Sequence, residues 1–332
     1  MQISNIVIWG HRLLALVGWM LIGVAVIALV TAASIVLLPH ELTYLQATVP
    51  QLYQGHHDGS LVGYIIHNRV SFAGALLITG GLYLWLVYRP LRRGESWAWW
   101  TLLLSGFLGA ATIFSYLAHD YLDSWHAAGT AAIALTLSVG LALSYRGVER
   151  PNHPNPLIPP YLKRELLAFR EWSPLFIGRL LLSVWALGTV LGGLTISLTG
   201  MFPIFVPQDL AYMQTTIEAL EQVNSRLIPF IAHDRIGFGG ALFSWGLAAL
   251  ACIWHGLRPG SSRLLYWMCF LWLIELITAI AIHPIVGYNS LSHLMPFLVK
   301  DGFFLLGLSF VHPQIIQTVP EDGRSAIQVT NS

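Results

Sequence analysis

Charge is what this chain has least of. Asp, Glu, Lys and Arg together make up 10% of its 332 residues, against roughly 25% in an ordinary soluble domain. So few charges cannot solvate a surface on every side, which excludes a water-facing globular domain. The formal net charge is +1, so the basic footprint of a nucleic-acid binder is missing as well. Cysteine is scarce. Cys252 and Cys269 both lie in apolar runs, with no CxxC spacing and no disulfide pattern, and read as inert core residues. A cleavable leader is also lacking. The apolar run Ile6 to Leu38 is too long for a signal-peptide core and has no small-residue cleavage site, so it reads as a retained first helix.

Apolar residues, by contrast, are abundant, at 55% of the chain with 13 Trp, 12 Tyr and 15 Phe and a mean hydropathy of +0.65. Crossing a bilayer takes ~20 apolar residues in a helix. Eight stretches meet that length: 8–38, 61–88, 97–118, 125–145, 174–202, 230–257, 263–283 and 291–311. The expected fold is an all-α integral membrane protein of eight transmembrane helices. Basic residues cluster in loop 89–96 (Arg89, Arg92, Arg93), in segment 146–173 (Arg146, Arg150, Lys163, Arg164, Arg170) and at Arg258 and Arg263. The opposite loops, 39–60, 119–124, 203–229 and 284–290, hold one basic residue, Arg226. By the positive-inside rule both termini are cytoplasmic, as in a multi-pass protein of a bacterial inner membrane.

The chain repeats itself. Arg12-Leu13-Leu14 returns as Arg179-Leu180-Leu181. The segment around Tyr44 and Gln46 returns around Tyr212 and Gln214. His67-Asn68-Arg69 returns as His233-Asp234-Arg235, and Tyr121 with His126 returns as Tyr288 with His293. The offsets, 166 to 168 residues, are nearly constant, which marks a duplicated unit. Each unit holds an even number of helices, so the halves are parallel four-helix-bundle repeats. They occupy 1–145 and 174–312, with a cytoplasmic linker at 146–173 and a cytoplasmic tail at 313–332. The matched loop between the first and second helices of each half mixes apolar and polar positions at helical spacing, and predicts a short amphipathic helix at the outer surface.

Four histidines, His67, His126, His233 and His293, open the second, fourth, sixth and eighth helices. Even-numbered helices all start outside, so these histidines share one depth. Two imidazoles from facing helices are the ligand set of a bis-histidine heme in a four-helix bundle. Ser71 and Gly74 follow His67 at helical spacing, as Gly237 and Gly240 follow His233, and leave room for a macrocycle. Arg69 and Arg235 are placed to pair with heme propionates. Structural anchoring and a proton or ion path are the alternatives, since small residues also serve helix packing. His119 and His283 end the third and seventh helices as further donors, and His56 and His57 in loop 39–60 read as solvated. Glu275, Lys300 and Asp301 fall inside spans, where ionisable groups are costly; they read either as a proton-shuttling cluster or as a buried pair that only locks the seventh and eighth helices together. Lys300 and Glu275 come at similar depth and make the better pair, because Asp301 points ~100° away from Lys300 around the helix.

This constellation resembles the heme A synthase family, which has eight helices in two four-helix halves and histidines opening helices 2, 4, 6 and 8 beside an arginine. The resemblance implies heme-ligand pairs His67 with His126 and His233 with His293. It also implies a b-type heme in one half and heme-modifying chemistry in the other. The family's carboxylate three residues before the helix-2 and helix-6 histidines is replaced here by Tyr64 and Phe230, and its loop cysteine pair is missing. The expectation is therefore a relative of that architecture: a heme-binding membrane oxidoreductase holding one or two hemes, with iron ligated by His67, His126, His233 and His293. Glu275, Lys300 and Asp301 are the catalytic candidates. Membrane lipid, and quinol or another electron donor, are the expected partners. A cofactor-free transporter using the seam between repeats, or a membrane assembly factor, is the alternative.

Overall fold

A computed structural model describes residues 5–48, 50–51, 59–112, 114, 124–149, 172–202 and 204–316. His56, His57, His119, Tyr121, most of the linker and residues 317–332 lie outside the described residues. Among the described residues the regular structure is entirely helical. Seven helices are long and apolar enough to cross a membrane. They are α1 (Asn5–Ser34), α3 (Ser60–Tyr88), α5 (Ser124–Ser144), α6 (Pro174–Met201), α9 (Leu227–Ala251), α10 (Ser262–Leu276) and α12 (Leu291–Ile316). α9 continues through a π-helical turn at Cys252–Gly256. α10 continues through another at Ile277–Ala281 into α11 (Ile282–Val286). Their outward faces are apolar: Val30, Trp9 and Leu191 are more than half exposed. Water would not tolerate so continuous an apolar exterior, and the chain has the make-up of a multi-pass membrane protein.

The expected third span, 97–118, is described as α4 (Ser96–Ala111), 16 residues long. The last helix does not stop at 311 but continues through Pro313 to Ile316. Val311 and Ile315 are fully buried there, and that packing outweighs the lost backbone hydrogen bond that proline imposes.

α3 and α9 form the centre and are the most buried of the seven long helices. They pack on each other. α1 packs on α3 and α6 on α9, with α5 against α1 and α12 against α6. The remaining contacts cross over: α10 covers α3, and α4 covers α9. Glycine sets the closest approaches. A Cβ on Gly239 of α9 would lie 2.5 Å from the Gly193 carbonyl of α6, and one on Gly80 of α3 would lie 2.7 Å from the Gly18 carbonyl of α1. Backbones that close are how membrane helices gain packing energy where lipid supplies no hydrophobic drive.

Two short helices lie at the histidine end. α2 (Pro39–Leu45) and α7 (Pro207–Met213) each begin with proline and carry an acid, Glu41 or Asp209, two positions later. Each ends on a left-handed glutamine, Gln46 at φ 51° and Gln214 at φ 50°. A further short helix, α8 (Ile217–Val223), follows. These are the helices that the mixed polarity of loops 39–60 and 203–229 predicts.

Candidate cofactor and metal sites

All four helix-opening histidines gather at the end of the bundle that carries α2 and α7. Their pairing differs from the expected one. His233 of α9 meets His126 of α5, with Nε2 atoms 3.0 Å apart. His67 of α3 meets His283 of α11, with Nε2 atoms 3.2 Å apart, and its ring centre lies 5.9 Å from that of His293. Each central helix turns its histidine toward the flank covered by the other half, so the pairs His67–His126 and His233–His293 do not form. The crossover of α4 and α10 in the packing is the physical reason.

The two groups have different surroundings. His126 and His233 border a cavity of about 420 Å³ between α1, α3, α4, α5 and α9. Its walls are mostly apolar, with Phe72, Leu76 and Leu137 among them, and Gly129 and Gly237 also line it; Gly240 lets α9 approach α4, since a Cβ there would lie 2.1 Å from Thr112 Oγ1. A Cβ on Gly129 would meet nothing within 4 Å. Tyr83 also faces it, its hydroxyl 2.7 Å from Ser105 Oγ. His40 of α2 lines the same cavity and stands edge-on to His126, ring centres 5.0 Å apart. The Asp234 carboxylate lies 3.1 Å from His233 Nδ1. The donor type, the apolar lining and the size, inside the ~300–1,000 Å³ of cofactor pockets, fit a heme held by imidazole.

The second group has no such space. His67, His283 and His293 place one ligand nitrogen each within 4.8 Å of the others. Below them the helices close: a Cβ on Gly74, seven residues after His67, would collide with the Thr278 side chain at 1.9 Å. The rings are packed among Tyr64 and Tyr288.

Arg69 and Arg235 do not stand open for propionates. Arg69 donates to Glu41 Oε1 at 2.7 Å and to the Val36 carbonyl at 3.1 Å. Arg235 donates to Asp209, to the Tyr64 hydroxyl and, at 2.7 Å, to the Ile204 carbonyl. A guanidinium buried this deeply requires a counter-charge in the fold, and α2 and α7 supply it. Glu41 and Asp209 are the functional partners that motif reading misses. Both stand one residue before the repeated Leu42 and Leu210 segments, which is the signal that locates them. Burial raises the Glu41 carboxyl above its ordinary pKa while Arg69 pulls it down. Burial and the Asp209 charge hold the Tyr288 phenol well above the usual range. Tyr288 therefore keeps its proton and donates it to Asp209 Oδ1 at 2.7 Å.

Glu275, Lys300 and Asp301 come together away from both histidine groups. Lys300 Nζ is 2.6 Å from Glu275 Oε1 and 3.1 Å from Asp301 Oδ1. Trp245 Nε1 donates to Glu275 Oε2 at 3.0 Å, and the ammonium lies over the Phe297 ring. The cluster ties α10, α12 and α9 together. Cys252 and Cys269 are free thiols. Comparisons with protein-family profiles, with curated proteins and with solved structures return no match for this chain.

Proposed function

We propose that this chain is a heme-binding membrane oxidoreductase whose cofactor is held by His126 and His233 at the mouth of the apolar cavity. The observation that carries the reading is the coincidence of two facing imidazoles with a largely apolar cavity of about 420 Å³. Bound there, heme supplies one-electron redox chemistry. The chain's own residues do the rest. His126 and His233 would hold the iron through ring nitrogens, Asp234 places a carboxylate beside His233, and the apolar lining would lower the local dielectric. His67 and His293 belong to a separate site, where packing leaves no slot for a macrocycle.

The architecture proposed with this function is eight crossings in two parallel repeats. α3 ends, and α4 begins, at the end away from the histidines, while α5 begins with His126 beside His233. The 16 residues of α4 cover about 24 Å, which supports α4 as part of an eighth crossing. The matched features of α2 and α7, and of Arg69–Glu41 and Arg235–Asp209, support the duplication. The orientation proposed is histidines outside and both termini in the cytoplasm of a bacterial inner membrane. Supporting it, Arg89, Arg93, Arg258 and Arg263 line a cavity at the opposite end, as the positive-inside rule requires. Quinol is the proposed electron donor.

The test is a dithionite-reduced minus air-oxidised spectrum of the purified protein. Reducible α and β bands that vanish in His233→Ala and in His126→Ala are expected. A wild-type protein without a Soret band, after expression with heme precursor, overturns the reading.

A further inference from the structure

We infer that His67, His283 and His293 form a second, independent centre that binds a single divalent transition-metal ion rather than a heme. Three imidazoles from α3, α11 and α12 converge with their ligand nitrogens within 4.8 Å of one another. The His67 and His283 Nε2 atoms are 3.2 Å apart. Two nitrogens on a tetrahedral ion at 2.0–2.1 Å are about 3.3 Å apart by geometry, so this spacing suits an ion placed between them.

The hydrogen-bond chain behind the triad favours metal binding. Tyr288 spends its proton on Asp209, and its oxygen lies 3.2 Å from His293 Nδ1. The nitrogen must then be the donor, which leaves the His293 Nε2 lone pair free for a ligand. His67 Nδ1 lies 3.2 Å from Asn68 Oδ1, an acceptor that sets the same tautomer. Asp209 is itself anchored by Arg235. An Arg–carboxylate–phenol–imidazole relay of this kind is an outer shell that orients a metal ligand and raises its basicity. Three neutral imidazoles with no thiolate suit copper or zinc ahead of calcium or magnesium. With three protein ligands, a fourth position is left for water or substrate, as in catalytic rather than structural sites. Thr278 against Gly74 closes the space beneath, so the centre accepts an ion and excludes a macrocycle.

The experiment is a titration of chelator-stripped, detergent-purified full-length protein with Co²⁺, read by the visible absorption of tetrahedral cobalt, followed by competition with Zn²⁺ and Cu²⁺. One equivalent is expected to bind, with Zn²⁺ displacing it. His67→Ala, His283→Ala and His293→Ala should each abolish the band. Tyr288→Phe, which keeps the ring and removes the hydroxyl, should weaken binding roughly 10–100-fold. This conservative variant keeps the inference testable if a histidine variant does not fold. His233→Ala should leave the band in place. A wild-type protein with no saturable cobalt band overturns the inference. So does a band that survives His283→Ala, binding unchanged in Tyr288→Phe, or a second heme per chain that His67→Ala removes. The inference does not rest on heme at His126 and His233: a colourless protein that still binds cobalt at the triad fails only the heme reading.

Discussion

Lys300→Met should be among the most damaging single substitutions in this protein, and its double mutant with Glu275→Gln should recover most of the loss. Lys300 Nζ lies within 2.6 Å of Glu275 and 3.1 Å of Asp301, and the Glu275 side chain is 3% exposed. Removing the ammonium leaves two carboxylates in an apolar interior, and breaking a buried pair costs roughly 3–5 kcal/mol. Glu275→Gln in the same chain removes one stranded charge and keeps an oxygen for the Trp245 indole, 3.0 Å away. Glu275→Leu would instead leave that indole unpaired, at a further cost of about 1–3 kcal/mol. Ranked by unfolding in mixed micelles, stability should therefore run parent, then Lys300→Met with Glu275→Gln, then Lys300→Met with Glu275→Leu, then Lys300→Met alone. If Lys300→Met is as stable as the parent, the ion pair contributes nothing and the account of α10 against α12 fails. If the best double mutant folds and matches the parent in activity, the charges are structural; if it folds without activity, they belong to the mechanism.

Gly129→Leu should fold at least as well as the parent, since a helix interior prefers leucine by up to about 1 kcal/mol and a Cβ there meets nothing within 4 Å. It should nonetheless lose heme because it fills the cavity, and heme content equal to the parent's would contradict the cavity assignment. Asp234→Leu removes the carboxylate 3.1 Å from His233 Nδ1 and should lower heme affinity roughly 10–100-fold; hemin titration of the stripped protein measures it. Arg235→Met strands Asp209 and should destabilise by roughly 3–5 kcal/mol, with Arg235→Met plus Asp209→Asn partly restored, which thermal melts of the three proteins can compare.

Much of the helix plan was legible because lipid imposes a length and a composition on every span. The Lys300–Glu275 contact was legible for a related reason: an intramembrane charge requires a partner at its own depth. The histidine pairing was not. The repeat makes His67 equivalent to His233 and His126 equivalent to His293, and those equivalences hold whether partners lie within a half or across halves. Only the packing of α10 on α3 and of α4 on α9 distinguishes the two. The partners of Arg69 and Arg235 were missed because the acids differ in letter, Glu41 in one half and Asp209 in the other, though both occupy the same position in the first turn of a short helix. His283 carried no repeat signal strong enough to rank it with the other four, and its role comes from the turn through Ile277–Ala281 that aims α11 at His67.

The most direct measurement is the heme-to-protein ratio of the wild type, His233→Ala and His67→Ala, purified side by side from cells supplied with heme precursor. The account predicts one heme per chain in the wild type, none in His233→Ala and one in His67→Ala. A heme retained in His233→Ala and lost in His67→Ala would contradict it.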